Sequence, residues 1–259
     1  GTPDYPGQAH MREYFIAFAK HYGLYDHYFF NTSVEKVEPQ GDKWAITLND
    51  GNTYLYKGVI IANGTLSEPN IPTFKGHFDG TIMHSAEYKK ASIFEGKRVL
   101  VIGAGNSGCD IVVDAIHHAK KVDISVRRGY YFVPKYIFGK PSDMVDNKLL
   151  KWFTGDPVNF GFPKPDYKIY ESHPVINTLI LHHIGQGDVK VQPDIDRFEV
   201  NTVYFKDGSS EDYDLIMLST GYKLHYPFID KKYLNWKDMS PELYLNIFHP
   251  EYDNLFVLG

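Results

Sequence analysis

The sequence predicts an α/β fold in which a Rossmann-like domain is inserted into the remainder of a second domain. A short β-branched run at residues 98–102 enters Gly-x-Gly-x-x-Gly at 103–108 and continues as an apolar helix. Two apolar runs, at 58–64 and 213–222, both follow strand-like pieces and end at a glycine corner. Because these runs flank the glycine motif, the simplest interpretation is that the chain leaves one domain after the first run, builds another, and returns at the second.

The part before the motif is predicted to hold one helix and a β-meander. Apolar side chains recur at three- and four-residue steps through residues 8–22, which predicts an amphipathic helix, and Gly23 follows as its C-cap. Asn-Asp-Gly at 49–51 predicts a turn between two strands. Pro69 and Pro72 predict an extended crossing segment. The predicted strands are Phe29–Val37, Lys43–Leu48, Asn52–Tyr56 and 58–64.

The glycine motif predicts a dinucleotide site. Gly103 permits a tight turn, Gly105 lets the backbone approach a diphosphate, and Gly108 lets the helix pack closely on its strand. The helix N-terminus presents free N–H groups and the positive end of its dipole to the phosphates. Asn106 and Ser107 begin this helix, so we expect them to contact the nucleotide. The alternative, a merely tight strand–helix turn, leaves Gly105 unexplained.

The end of the next strand predicts which nucleotide binds. In NAD-binding units this end carries an acid that holds the ribose 2′-hydroxyl, about 20 residues past the glycines. Here the strand at 122–126 is followed by Arg127 and Arg128. A guanidinium pairs with a 2′-phosphate, whereas a carboxylate repels it, so NADP is favoured over NAD. Asp123 lies too early in the strand to be the ribose acid. The alternative is that the two arginines are solvated side chains at a strand end.

The second half of the chain is predicted to cover a ligand site and then to form another meander. Residues 130–187 are irregular and rich in Pro, Gly and aromatic residues, with one predicted helix at 174–184. The meander is predicted to run through Lys190–Val191 and Phe198–Phe205, with a turn at Asp207–Gly208.

The composition excludes several classes of function. The chain has 259 residues, 43% of them hydrophobic, and a net charge of −5 without a basic block, so it can form a core and is not expected to bind nucleic acid. No apolar run is long enough to span a membrane. One cysteine excludes an internal disulfide or a redox pair, and Cys109 is expected to be a small packed residue. A cytoplasmic location is predicted. The twelve histidines show no metal-ligand spacing, so no metal is expected.

Four short stretches resemble a known family. Residues 78–88 read Phe-Asp-Gly-Thr-Ile-Met-His-Ser-Ala-Glu-Tyr, just before the glycine motif. Ala-Asn-Gly at 62–64, Arg-Arg-Gly at 127–129 and Ser-Thr-Gly-Tyr at 219–222 match further positions. The whole chain resembles the flavin-containing monooxygenase family and, more loosely, the Baeyer–Villiger monooxygenases.

The resemblance implies a flavoprotein with two dinucleotide-binding domains. Residues 1–90 would be part of the FAD-binding domain with its β-meander, 91–218 the NADP-binding Rossmann-like domain, and 219–259 the return to the FAD-binding domain. Family members begin with an earlier Gly-x-Gly-x-x-Gly that holds FAD, and this chain has none before residue 97. We therefore expect a family member without its first βαβ unit, either trimmed at both ends or a natural remnant.

The resemblance also implies the chemistry. In such enzymes NADPH reduces the flavin, and a C4a-peroxyflavin oxygenates a soft nucleophile, an amine nitrogen or a sulfide sulfur, on a small-molecule substrate. No protein nucleophile is required, and the catalytic residues stay unassigned. The alternative is a non-catalytic NADP(H)-binding module without flavin. A reductase would need a complete flavin site or a redox cysteine pair.

Four further cofactor-binding candidates lie near the domain crossings. Asn63 either faces the cofactor cleft or adopts a left-handed turn, which asparagine tolerates. His84 either fixes the hinge through bonds to the backbone or contacts the nicotinamide nucleotide. Thr220 and Gly221 stand at the corner that ends the second apolar run.

Overall fold

The computed structural model describes residues 2–145 and 147–258, without the side chains of Asn147, Leu149, Lys151 and Phe153. The helices are α1 (Gln8–His21), α2 (Asn106–Ala115), α3 (Asn147–Thr154) and α4 (Leu179–Gln186). The strands are β1 (Val34–Gln40), β2 (Lys43–Leu48), β3 (Thr53–Tyr56), β4 (Val59–Ile61), β5 (Glu68–Pro69), β6 (Lys75–Phe78), β7 (Thr81–His84), β8 (Arg98–Ile102), β9 (Lys121–Ser125), β10 (Tyr136–Ile137), β11 (Lys140–Pro141), β12 (Val189–Gln192), β13 (Ile195–Val200), β14 (Thr202–Phe205), β15 (Ser210–Asp212), β16 (Leu215–Leu218), β17 (Tyr222–Lys223), β18 (Trp236–Lys237), β19 (Ser240–Pro241) and β20 (Leu255–Val257).

The contacts divide the chain into two compact units. The first combines Gly1–Glu68 with Lys223–Gly259, and the second is Pro69–Tyr222. The domain boundaries at 90 and 218 stay predictions. In the structure, residues 69–90 belong to the second unit, where β7 pairs with β16 of the central sheet.

The second unit is built on a five-stranded parallel sheet in the order β12-β9-β8-β16-β7. All four residues of β16 and the last four of β8 are buried, as expected for parallel strands that are covered on both faces. Helix α2 follows β8 and buries Cys109, Ile111, Val112 and Ala115 in the core on one side of the sheet.

A second, four-stranded sheet in this unit has the order β15-β14-β13-β6. Strands β13, β14 and β15 form an antiparallel meander. Strand β6 pairs with β13 in parallel and so extends the sheet on that side. Phe78, Phe198 and Tyr213 pack with Leu100 and Ile216 of the central sheet in one buried cluster.

The first unit contains a three-stranded antiparallel sheet, β1-β2-β3, and a parallel pair, β4-β20. The predicted turn at 49–51 is confirmed: Gly51 has φ of 84°, and Asp50 Oδ1 accepts from the Asn52 N–H. Trp44 belongs to the buried cluster of this unit, and its indole N–H donates to Asn254 Oδ1 at 2.9 Å.

Three predicted elements lie elsewhere than expected. Strand β1 begins at Val34 rather than Phe29, and ahead of it the Phe30 ring contacts the rings of Tyr25 and Tyr28. Lys190–Val191 belongs to β12, which extends the parallel sheet beside β9 and not the meander. Helix α4 begins at Leu179 rather than 174, because Asn177 Oδ1 accepts from the N–H groups of Leu179 and Ile180.

Candidate functional site

The first and third glycines of the motif are required by the fold. Gly103 has φ of 105°, and a Cβ there would lie 2.4 Å from the Ser219 carbonyl oxygen. A Cβ on Gly108 would lie 2.0 Å from the Gly103 carbonyl oxygen. Gly105 differs, since its φ is −71° and a Cβ would meet nothing within 4 Å. Packing therefore does not explain the middle glycine, which leaves open space above the turn.

That open space is part of a cavity of about 510 Å³ at the carboxyl ends of β8, β9 and β16. This edge of a parallel sheet is where doubly wound α/β folds bind ligands. The structure brings together seven of the eleven predicted site residues on its wall: Gly103, Gly105, Asn106, Arg127, Arg128, Thr220 and Gly221. The other four, Asn63, His84, Ser107 and Gly108, do not line it.

Arg127 and Arg128 are exposed on the cavity wall just after β9. The Arg128 guanidinium lies 5.3 Å from the centroid of the Tyr130 ring, and a hydrogen bond to Tyr130 raises the pKa of Arg128. Asp123 is buried and accepts from Tyr213 Oη at 2.6 Å and Gln192 Nε2 at 2.8 Å. It is thus held inside the core and is not among the residues that line the cavity.

A chain segment from the irregular region is hydrogen-bonded to the first two turns of α2. Asn106 Oδ1 accepts from the Ile176 N–H at 2.8 Å, and Asp110 Oδ1 accepts from Asn177 Nδ2 at 2.7 Å. Residues 172–175 contribute Ser172, His173 and Val175 to the cavity wall. The oxygen of Asn106 is therefore engaged in holding this segment, whereas Ser107 is exposed on the helix outside the cavity wall.

His84 is buried at the end of β7, and both of its ring nitrogens have partners in the chain. Nδ1 accepts from the Ala86 N–H at 3.1 Å, so Nε2 carries the proton and donates to the Gly221 carbonyl at 3.0 Å. Glu87 Oε1 accepts in turn from the His84 N–H, which completes a capping box. This geometry is that of the structural alternative.

Asn70 and Ser219, which are not among the predicted site residues, also line the cavity. Asn70 Nδ2 donates to the Thr220 carbonyl at 3.2 Å, and Thr220 Oγ1 donates to the Asn70 carbonyl at 2.5 Å. The Asn70 N–H donates to the Gly221 carbonyl at 2.9 Å. Asn70 stands between Pro69 and Pro72, which indicated only an extended segment, and Ser219 is part of the Ser-Thr-Gly-Tyr stretch.

Asn63 lies in the first unit, where its Nδ2 donates to the His225 carbonyl at 3.0 Å. The left-handed conformation belongs to the next residue, Gly64, at φ of 78°, so the turn alternative is wrong for Asn63. Asn63 lines a largely apolar cavity of about 610 Å³ with Val37, Ile61 and Phe228.

The stretch at 78–88 has structural contacts throughout. A Cβ on Gly80 would lie 2.7 Å from the Asp214 carbonyl oxygen. Tyr88 stacks on Phe94 with ring centroids 5.4 Å apart and hydrogen-bonds Asp114 of α2. The pattern thus ties β7 and the turn after it to the core of the second unit.

Other chemistry is sparse in the part of the chain that the structure describes. No group of three His, Cys, Asp or Glu side chains there is placed to hold a metal ion. None of the described helices has both the length and the apolar character needed to cross a membrane. Cys109 is fully buried, and its burial raises the pKa of the thiol, as expected for a packed residue.

Comparisons with known proteins support the predicted resemblance. The chain is 29% identical over 281 residues to indole-3-pyruvate monooxygenase YUCCA4 of Oryza sativa subsp. japonica, covering 92% of this chain and 64% of that protein. It is 30% identical over 293 residues to flavin-containing monooxygenase 5 of Cavia porcellus, covering 99% and 55%. The chain thus spans between just over half and just under two thirds of the length of these two relatives.

The fold comparison agrees. The flavin-containing monooxygenase from Stenotrophomonas maltophilia superposes with a TM-score of 0.76 at 22% identity, over 100% of this chain and 70% of that one. The family described as FMO-like, flavin-binding monooxygenase-like, matches residues 1–258. This chain therefore belongs to the flavin-binding monooxygenase-like family.

Proposed function

We propose that this chain supplies the NADPH-binding part of a flavin- and NADPH-dependent monooxygenase that oxygenates an amine nitrogen or a sulfide sulfur of a small molecule. One observation supports NADPH binding in particular: the glycine turn, Arg127 and Arg128 line the same cavity. Family membership supports the flavin and the monooxygenase activity. A cytoplasmic location and the absence of nucleic-acid and membrane partners stay predictions.

The residues present fit an NADP(H) diphosphate and 2′-phosphate. The open space beside Gly105 can hold a phosphate group, and a side chain at residue 105 would occupy that space. The N–H groups at the start of α2 lie beside it. Arg127 and Arg128 supply the positive charge that a 2′-phosphate requires. When bound at these residues, NADPH would supply a hydride to the reaction.

The chain's own residues bind and orient the nucleotide. His84 and Asn70 both donate to the Gly221 carbonyl, and this fixes the strand end that forms one wall of the cavity. Asn106 accepts from the N–H of residue 176 and so holds the adjoining segment at 172–175, which also lines the cavity. Within the 259 residues the glycine motif occurs once, at 103–108, and we assign it to NADPH.

The alternative function is a non-catalytic NADP(H)-binding module. It is favoured by one observation, namely that every residue of the cavity wall belongs to the second unit. The flavin absorbance of the purified protein tests the module. A bound flavin would support the monooxygenase and contradict a module without flavin.

Calorimetric titration of the wild-type protein with NADPH and NADH tests the nucleotide assignment. We expect NADPH to bind about ten- to a hundredfold more tightly, the contribution of charge-assisted bonds to the 2′-phosphate. The double variant Arg127→Ala, Arg128→Ala should abolish this preference, while Arg197→Ala, an arginine on β13 away from the cavity wall, should retain it. Equal affinities of the wild-type protein for both nucleotides would contradict the assignment.

A further inference from the structure

Ser219 has a buried hydroxyl that finds no hydrogen-bond partner among the described residues. The residue is 9% exposed, follows directly after β16, and belongs to the wall of the nucleotide cavity. Its N–H donates to the Ile102 carbonyl at 2.8 Å, so the backbone is fixed by the sheet and only the side chain has freedom. A buried hydroxyl without a partner is unfavourable, and alanine at this position would avoid that cost.

The position of Ser219 relates the hydroxyl to the glycine turn. The Ser219 carbonyl oxygen lies 2.4 Å from where a Gly103 Cβ would be, and the Ser219 Cβ lies 3.2 Å from where a Gly108 Cβ would be. Ser219 therefore packs between the first and third glycines, directly beside the start of α2. The diphosphate of a bound dinucleotide is expected at this turn.

We propose that the Ser219 hydroxyl is a diphosphate-binding group, which gains its missing partner when the nucleotide binds. The hydroxyl oxygen is buried without a partner on a residue that lines the cavity, and χ1 offers it other staggered positions from which to meet the ligand. Once there, it donates to a diphosphate oxygen beside the N–H groups of α2. This inference rests on the proposed nucleotide site. It adds to that site a residue that binds the diphosphate and does not contact the 2′-phosphate.

The test is Ser219→Ala in the full chain, titrated with NADP⁺ and NAD⁺. We expect both dissociation constants to rise by the same factor, about tenfold, because both nucleotides share the diphosphate. The arginine double variant should instead weaken only NADP⁺. Ser209→Ala removes a hydroxyl that bonds Asp207 in an exposed turn of the same unit, and should leave both affinities unchanged.

Thermal denaturation without nucleotide is the second measurement. Ser219→Ala should melt at the same temperature as the wild type or higher, because it removes an unsatisfied buried group. A lower melting temperature would mean that the hydroxyl already has a partner in the free protein, and would overturn the proposal. Unchanged affinities, or a loss confined to NADP⁺, would also overturn it. If the wild type binds neither nucleotide, the proposed function itself fails, before any variant is compared.

Discussion

The imidazole of His84 donates through Nε2 to the carbonyl oxygen of Gly221, 3.0 Å away and 137 residues later in the chain. The same carbonyl accepts from the Asn70 N–H. Gly221 lines the nucleotide cavity, whereas His84 does not. His84 therefore acts on the site by holding its wall, and the cavity geometry depends on a side chain outside it.

Replacing His84 should lower stability more than nucleotide affinity. His84→Ala leaves the Ala86 N–H without its partner and opens a void beside Tyr222, so we expect a loss of at least about 2 kcal/mol of unfolding free energy. His84→Asn should recover part of it, since asparagine also caps a helix start. Chemical denaturation measures both variants. An affinity loss for NADPH that far exceeds the stability change would instead support direct contact with the nucleotide.

Substitutions at two glycines of the motif should have opposite effects: one at Gly105 should remove nucleotide binding, and one at Gly103 should lower stability. Gly105→Val should abolish NADPH binding while changing stability by less than about 1 kcal/mol, because φ is −71° and the added atoms meet open space. Gly103→Ala should destabilise the protein by about 1–3 kcal/mol from φ alone, with a further penalty from the contact with the Ser219 carbonyl. Melting temperature and NADPH affinity are measured on each variant. Full NADPH affinity in Gly105→Val would show that the motif is only a structural turn.

The sequence allowed prediction of the parts of the site that are local in the chain. Residues 103–106 of the glycine turn and the pair at 127–128 lie on the cavity wall because glycine geometry and strand-end charge are determined within a few residues. Asn70, Ser219 and the bond from His84 to Gly221 depend on pairing between strands far apart in the chain, such as β7 with β16. The short strands β6 and β7 were not predicted for the same reason, since their parallel partners are more than a hundred residues away.

The ion pair between Arg98 and Asp214 should make stability depend on pH in strong acid. Arg98 Nη2 and Nε donate to the two oxygens of Asp214 at 2.8 and 3.1 Å, and these bonds lower the pKa of Asp214 to about 2. The unfolded state takes up this proton at a higher pH, near 3.8, so the contribution is complete above about pH 4 and is lost as the pH falls through 2.

Asp214→Asn tests this contribution. The variant should be less stable than the wild type at pH 5, and the difference should shrink towards pH 2, as followed by urea denaturation across that range. Asp196→Asn serves as the control, because this exposed carboxylate pairs with Arg197 on the edge of the meander and away from Arg98. A difference between Asp214→Asn and the wild type that stays constant from pH 5 to 2 would contradict the assignment.

His249 should produce a second pH dependence, below about pH 6.5. Its Nδ1 accepts from the N–H groups of Glu251 and Tyr252 at 3.1 and 3.0 Å, and Nε2 is buried without a partner among the described residues. Burial lowers the pKa of His249 below its ordinary value of 6.5. The unfolded chain therefore binds this proton at a higher pH than the folded one, so stability is complete above about pH 6.5 and falls as the solution becomes more acidic.

His249→Asn retains an acceptor for the turn but cannot titrate, and the difference from the wild type in unfolding free energy should change between pH 7.5 and 5. His10→Asn, an exposed position on α1, is the matched control and should run parallel to the wild type. Parallel curves for His249→Asn and the wild type would show that this imidazole is not held neutral by the fold.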